Sequence, residues 1–152
     1  MPATTEQFQA LFDPKGVIVA GASSHPGKFG FVALHNILRN GYGGRVFATN
    51  LEGTAVLGID TVASIDELPD GEADLVFVCT PAKTNIDLLR SCARKGVKAA
   101  HEKGTAHEFT SEEARAAGKT VIATCPFALS YIDRHPELDE FLRPSARRRA
   151  PD

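Results

Sequence analysis

The chain has 152 residues, 43% of them hydrophobic and 24% charged, with a net charge of -2 at pH 7. That length fits one domain with a core of its own, and the near-balanced charge lacks the basic excess that marks a nucleic-acid binder. Three cysteines, Cys79, Cys92 and Cys125, are odd in number and form no CxxC pair, which argues against a disulfide scaffold and against a zinc site. No apolar run approaches the ~20 residues of a membrane span, and Met1 to Gln9 lacks the pattern of a signal peptide. The expectation is a cytoplasmic protein with no membrane and no nucleic-acid partner. The run Arg147-Arg148-Arg149 reads as a solvated tail.

Taken in order, Thr4 and Gln7 form a capping-box pattern, and Phe8, Leu11 and Phe12 share a helical face. A short helix is therefore predicted, ended by Asp13-Pro14. Val17 to Ala20 is a continuous apolar run, as in a strand buried on both faces of a parallel sheet. A Gly-rich segment follows from Gly21 to Gly30. Phe31, Leu34, Ile37 and Leu38 then repeat at helical spacing up to Asn40-Gly41. Val46 to Thr49 is the next strand, which completes a βαβ unit.

A short strand near Thr61-Val62 and a helical turn over Ile65 to Leu68 come next. Leu75 to Val78 is another buried strand. A helix from Thr84 to Lys95 places Ile86, Leu89 and Ala93 inward, with Gly96 after it. Val97 to Ala100 is a strand, and His101-Glu102 lies just past its end. Thr110 and Glu113 cap a helix to Ala117, Thr120 to Ala123 is the last strand, and Glu137 to Leu142 a terminal helical turn. This alternation predicts an α/β, Rossmann-like three-layer domain with a mainly parallel sheet over residues 1–130, followed by an extension and tail over 131–152.

In such sheets ligands sit beyond the carboxyl ends of the strands. Gly21 lets the chain turn off its strand, Ser23 and Ser24 offer hydroxyls, and Gly27 allows close backbone approach. The helix that starts near Lys28 aims its free N–H groups and positive dipole end at the same place, and Lys28 adds a full charge. These are the requirements of a pyrophosphate. The dinucleotide fingerprint G-x-G-x-x-G is not met, because Ser23 stands at its second glycine. Asn50 occupies the position where an NAD site wants an acid for the ribose hydroxyls. An adenosine ligand with an extra ribose phosphate is thereby favoured, and coenzyme A (CoA) and NADP both qualify.

Other polar residues have plainer readings. His25 lies in the loop as a solvated histidine within reach of a phosphate. His35 is surface or half-buried, and His101-Glu102 is a loop pair on the ligand side. Cys79 and Cys92 are core residues. No catalytic set and no metal-ligand spacing stands out.

These residues resemble the CoA-binding domain of the succinyl-CoA synthetase alpha subunit, of the NDP-forming acyl-CoA synthetases and of stand-alone CoA-binding proteins. The stretches that carry the resemblance are Phe12-Asp13-Pro14, Gly21-Ala22-Ser23 with Pro26-Gly27-Lys28-Phe29-Gly30, Gly41-Tyr42, Asn50, Val56-Leu57-Gly58, Leu68-Pro69, Asp74-Leu75-Val76, Thr80-Pro81-Ala82 and Lys95 to Ala99. It runs from about Leu11 to Ala100, with a weaker continuation to Pro126. It implies that Gly21, Ala22, Ser23, Ser24, Pro26, Gly27, Lys28, Phe29 and Gly30 form the loop around the CoA phosphates. Asn50 and Leu51 would line the adenosine side, Val62 and Ala63 would lie along the nucleotide, and Thr80 and Pro81 would border the pantetheine path.

The match departs from the ligases after His101-Glu102-Lys103-Gly104, and near Cys125-Pro126 only the Cys-Pro pair of their turn persists. No histidine lies in a stretch like the ligases' phosphohistidine loop, which sits on a second domain for which the chain leaves no room. The resulting expectation is a CoA or acyl-CoA binding protein, not an enzyme by itself, with a ligase partner subunit. Two other readings stand beside it: an NAD(P)-binding oxidoreductase domain and a nucleotide-free interaction scaffold.

Overall fold

The structure is a computed structural model and describes residues 4–102, of which residues 5–102 fall within one unit, Thr5–Lys103. The helix, strand and helical turn expected beyond Lys103, with Cys125, lie outside the described residues. Chain order is α1 (Thr5–Phe12), β1 (Gly16–Ala20), α2 (Phe29–Arg39), β2 (Arg45–Thr49), β3 (Thr61–Val62), a 3-10 turn (Ile65–Glu67), β4 (Leu75–Val78), a second 3-10 turn (Ala82–Thr84), α3 (Asn85–Arg94) and β5 (Ala99–Glu102).

The five strands form one sheet in the order β3-β2-β1-β4-β5, and every pairing is parallel. The sheet is the middle of three layers. All five residues of β1 are buried, which is why that strand carries no polar alternation. Its side chains divide between two cores. Val19 packs with Leu34 of α2, Ala48 and Val56 on one face. Ile18 and Ala20 pack with Val76, Val78, Ile65, Leu68 and Cys92 of α3 on the other. The fold class is the one expected.

Four local expectations are corrected. The strand expected over Val97 to Ala100 is β5, Ala99–Glu102. Its start is set by Asp74, whose carbonyl accepts from both Lys98 N–H and Ala99 N–H at 2.9 and 3.0 Å, while Val97 N–H is spent on Cys92 at the end of α3. His101 and Glu102 are consequently strand residues in register with Phe77 and Val78. Ala93 is exposed. The inward stripe of α3 runs through Asn85, Leu88, Leu89 and Cys92, with Leu88 and Leu89 against the core, and Ala93 falls off it by helical phase. Phe8 and Phe12 do share a face, with ring centroids 6.3 Å apart, but Phe12 is 75% exposed and Ala10 is the buried residue of α1. In α2, Leu34 and Gly30 are buried, whereas Leu38 is exposed.

Capping and pairing fix the second core. Ser64 Oγ accepts from Asp66 N–H and Glu67 accepts from Ser64 N–H, which closes a capping box around the first 3-10 turn. Asp66 then accepts from Ser91 Oγ at 3.0 Å and from Arg94, which ties this turn to α3. These bonds hold its carboxyl below the usual aspartate range. Their contribution is therefore present at neutral pH and is lost as the pH falls through the folded-state value.

Two measurements test this packing. A Cβ added at Gly30 would overlap the Gly21 carbonyl oxygen and crowd Ala22 Cα, so Gly30→Ala is expected to lower the unfolding free energy by about 1–3 kcal/mol in urea titration. Burial first, and the Asp66 carboxylate second, push the Cys92 thiol up to about 12. Cys92 should resist alkylation in the folded protein and react on unfolding, as followed by peptide mass spectrometry.

Candidate functional site

The carboxyl ends of β1, β2 and β4 converge on the Gly-rich loop. Gly21 leaves β1 with φ of +83°, a conformation open to glycine at little steric cost. A Cβ there would also press on Thr80 and on the Cys79 carbonyl. The first loop amides are spent on β2: Gly21 N–H and Ala22 N–H both donate to the Thr49 carbonyl, at 3.1 and 2.8 Å. The loop is thus anchored at its base before it opens toward solvent.

From Ser24 to Phe29 every residue is exposed. Lys28 is the N-cap of α2, and no side chain caps that helix. Its positive dipole end consequently opens onto the loop. Among the described residues Lys28 forms no ion pair. Gly27 differs from Gly21 and Gly30 in kind. It has no positive φ, and a Cβ on it would meet only the His25 ring, at 3.3 Å. The fold needs Gly21 and Gly30, while Gly27 keeps an exposed stretch of backbone bare. An uncapped helix end, an unpaired ammonium and bare backbone suit a pyrophosphate.

The remaining predicted site residues border this loop. Asn50 Nδ2 donates to the Ala22 carbonyl at 3.2 Å, and its Oδ1 accepts from Glu52 N–H at 2.7 Å. Its amide therefore braces the loop against the turn after β2. Leu51 is 95% exposed. Val62 leans on the core of β1 and β4, and Ala63 is exposed beside it. Thr80 follows β4 and packs its methyl toward Gly21. Pro81 is exposed, and its carbonyl accepts from Thr84 N–H and Oγ1. Phe29 instead lines a groove of about 610 Å³ under α1 and α2, with Phe12, Val32, Phe77 and His101. That groove lies against one face of the sheet and reaches Val17 and Leu75, near the amino-terminal ends of β1 and β4.

A polar network was not foreseen from the sequence. Asn85, 3% exposed at the start of α3, accepts from Thr80 Oγ1 at 2.8 Å and donates to Glu102. It thereby links the ends of β4 and β5. Its only sequence signal was a polar residue in the inward stripe of a helix, and its strand partner is far along the chain. Among the described residues no group of metal-ligating side chains occurs, and no helix is long and apolar enough to cross a membrane.

Replacing Asn85 by Ala should leave the Thr80 hydroxyl and the Glu102 carboxylate each without this partner. The expected loss of unfolding free energy is about 1–3 kcal/mol, measured by urea titration with an unchanged m-value.

The comparisons with known proteins agree with this geometry. A family model described as a CoA binding domain matches residues 15–130. The alpha subunit of acetate–CoA ligase (ADP-forming) I from Pyrococcus furiosus is 37% identical over 95 residues, which covers 60% of this chain and 20% of that protein. Acetate–CoA ligase (ADP-forming) II from Archaeoglobus fulgidus is 36% identical over 97 residues, covering 64% of this chain and 14% of that one. The chain thus spans a fifth or less of the length of these two relatives. Among solved structures, the dinucleotide-forming acetyl-coenzyme A synthetase 1 of Ca. Korarchaeum cryptofilum, in complex with phosphate and ADP, superposes with a TM-score of 0.67 at 25% identity, covering 78% of this chain and 27% of that one. A conserved hypothetical protein from Pyrococcus furiosus shares the fold at 22% identity, with a TM-score of 0.61 over 74% of this chain and 97% of its own. With the family model spanning β1 through Asn50, Thr80 and beyond, the chain belongs to the CoA-binding domain family, homologous to the CoA-binding part of ADP-forming acetyl-CoA synthetases.

Proposed function

We propose that this chain is a module that binds CoA or an acyl-CoA, is not catalytic by itself, and works with a ligase partner that supplies the acyl chemistry. The observation that carries the reading is the loop from Ser23 to Lys28, with bare backbone at Gly27 and an uncapped α2. In this reading the CoA phosphates sit on Ser23, Ser24, Pro26, Gly27 and Lys28. The adenosine lies by Leu51, whose exposed side chain offers apolar surface to a base, and along Val62 and Ala63. Asn50 holds the loop in shape for it. The pantetheine arm passes Thr80 and Pro81, whose position depends on the Asn85–Glu102 link.

Family membership supports CoA over the nicotinamide dinucleotides. The ligase partner is supported by relatives that are themselves named as subunits of acetate–CoA ligases. Residence in the cytoplasm belongs to the same proposal.

The test is a thermal-shift panel with CoA, acetyl-CoA, dephospho-CoA, NAD and NADP. A ligand at 100 times its Kd stabilises by about 2.7 kcal/mol, and each kcal/mol moves the midpoint by roughly 2–4 °C at this size. CoA and acetyl-CoA should raise the midpoint, dephospho-CoA should raise it less, and the two dinucleotides should leave it in place. Gly27→Asp and Lys28→Glu should each abolish the CoA shift while leaving the ligand-free midpoint near that of the parent. Normal binding by both variants would move the site elsewhere, and a shift with NADP alone would overturn the reading.

A further inference from the structure

One side chain in the loop occupies a donor that the phosphate site would use. The His25 ring folds over its own loop, and Nδ1 accepts from the Gly27 N–H at 3.1 Å. The His25 backbone N–H donates to Ser23 Oγ, also at 3.1 Å, which holds the residue in this turn. A ring nitrogen that accepts a hydrogen bond carries no hydrogen, so this arrangement belongs to the neutral imidazole with its proton on Nε2. Protonation places hydrogens on both nitrogens. Nδ1 can then no longer accept, and two donors face each other at Gly27.

The consequence is coupled to the charge of the ligand. A single proton releases the Gly27 amide, at the point where the backbone is bare, and adds a cation beside it. Both changes favour an anion. The charged side chain of the same loop is Lys28, three residues on, and the turn after β2, which Asn50 ties to Ala22 at the loop's base, carries Glu52; Thr80 and Asn50, which reach that base, are neutral. A phosphate bound at Gly27 and Lys28 would face the protonated ring with opposite charge.

We infer that His25 is a proton-coupled anion-binding residue: neutral, it satisfies the Gly27 amide and closes the loop on itself, and protonated, it opens that amide to a phosphate of the ligand. The inference rests on the CoA reading given above.

Isothermal titration of the full chain with CoA tests it, at about pH 8 and about pH 6 and in two buffers of different ionisation enthalpy at each pH. Dephospho-CoA serves as a second probe because it lacks the ribose phosphate, whose own ionisation falls near pH 6. Wild-type affinity for dephospho-CoA should rise roughly five- to tenfold from the higher pH to the lower, with net proton uptake seen as a buffer-dependent heat. His25→Asn keeps an acceptor two residues before an amide but takes up no proton, and His25→Ala removes the acceptor. Both variants should bind with little pH dependence and with loss of the wild-type proton uptake. All other histidines, His35 on Phe31 and His101 on Phe77 among them, remain in both variants, so a pH slope owed to them would persist. An unchanged slope and proton uptake in His25→Asn would overturn the inference and leave the CoA site standing. Absence of CoA and dephospho-CoA binding to the wild type at either pH would overturn the CoA reading itself and this inference with it.

Discussion

The approach of α2 to the end of β1 governs the rest of this structure. Gly30, in the first turn of the helix, lies so close to the Gly21 carbonyl and Ala22 that there is no space for a Cβ between them. Two backbones in contact bring the helix terminus down onto the strand end, and the intervening residues must bulge outward as a loop. The bulge is what leaves Ser24 to Phe29 exposed, and the short separation is what aims the helix dipole into it. Neighbouring strands then brace the loop's base: Thr49 takes its first two amides, Asn50 takes the Ala22 carbonyl, and Thr80 packs beside Gly21.

Around that contact the residues separate by role. Gly21 and Gly30 serve the backbone, one by its positive φ and both by lack of room. Gly27, Ser24 and Lys28 make few demands on the fold: all three are exposed, and the Gly27 amide donates to the His25 ring of the same loop. Asn50 belongs to neither group alone. Its amide is committed at both ends within the protein, so its presence in place of an acid both braces the loop and removes the carboxylate that a ribose-binding NAD site would use. Asn85 plays a comparable part further along the sheet. Buried polar groups must be paired, and this one is paired to Thr80 and Glu102, two residues that border the same end of the sheet. In the proposed reading these groups hold the CoA phosphates and border the path of the pantetheine arm.

Much of this was legible in the amino-acid sequence because it is local. The run Val17 to Ala20 announced a doubly buried strand, and the loop that follows it announced both turn and helix start. The alternation of strands with helices announced a parallel sheet. The resemblance in Pro26 to Gly30, Asn50 and Thr80-Pro81 pointed to the family to which the chain belongs.

Tertiary structure decided what depends on partners distant in the chain. His101 and Glu102 became strand residues because the Asp74 carbonyl claimed Lys98 and Ala99, a choice invisible in the residues Val97 to Ala100 themselves. Ala93 turned outward because the phase of α3 was set by Cys92 and Leu89 against the sheet. The Asn85 network required β4, α3 and β5 to meet. Hydrophobic period and turn chemistry act over a few residues and can be read in order, whereas register, helix phase and the partner of a buried amide follow from which surfaces the folded chain brings into contact. The sequence by itself therefore determined the layers and the Gly-rich loop of this protein, and only packing determined which of its polar side chains face that loop and which are spent on holding it in place.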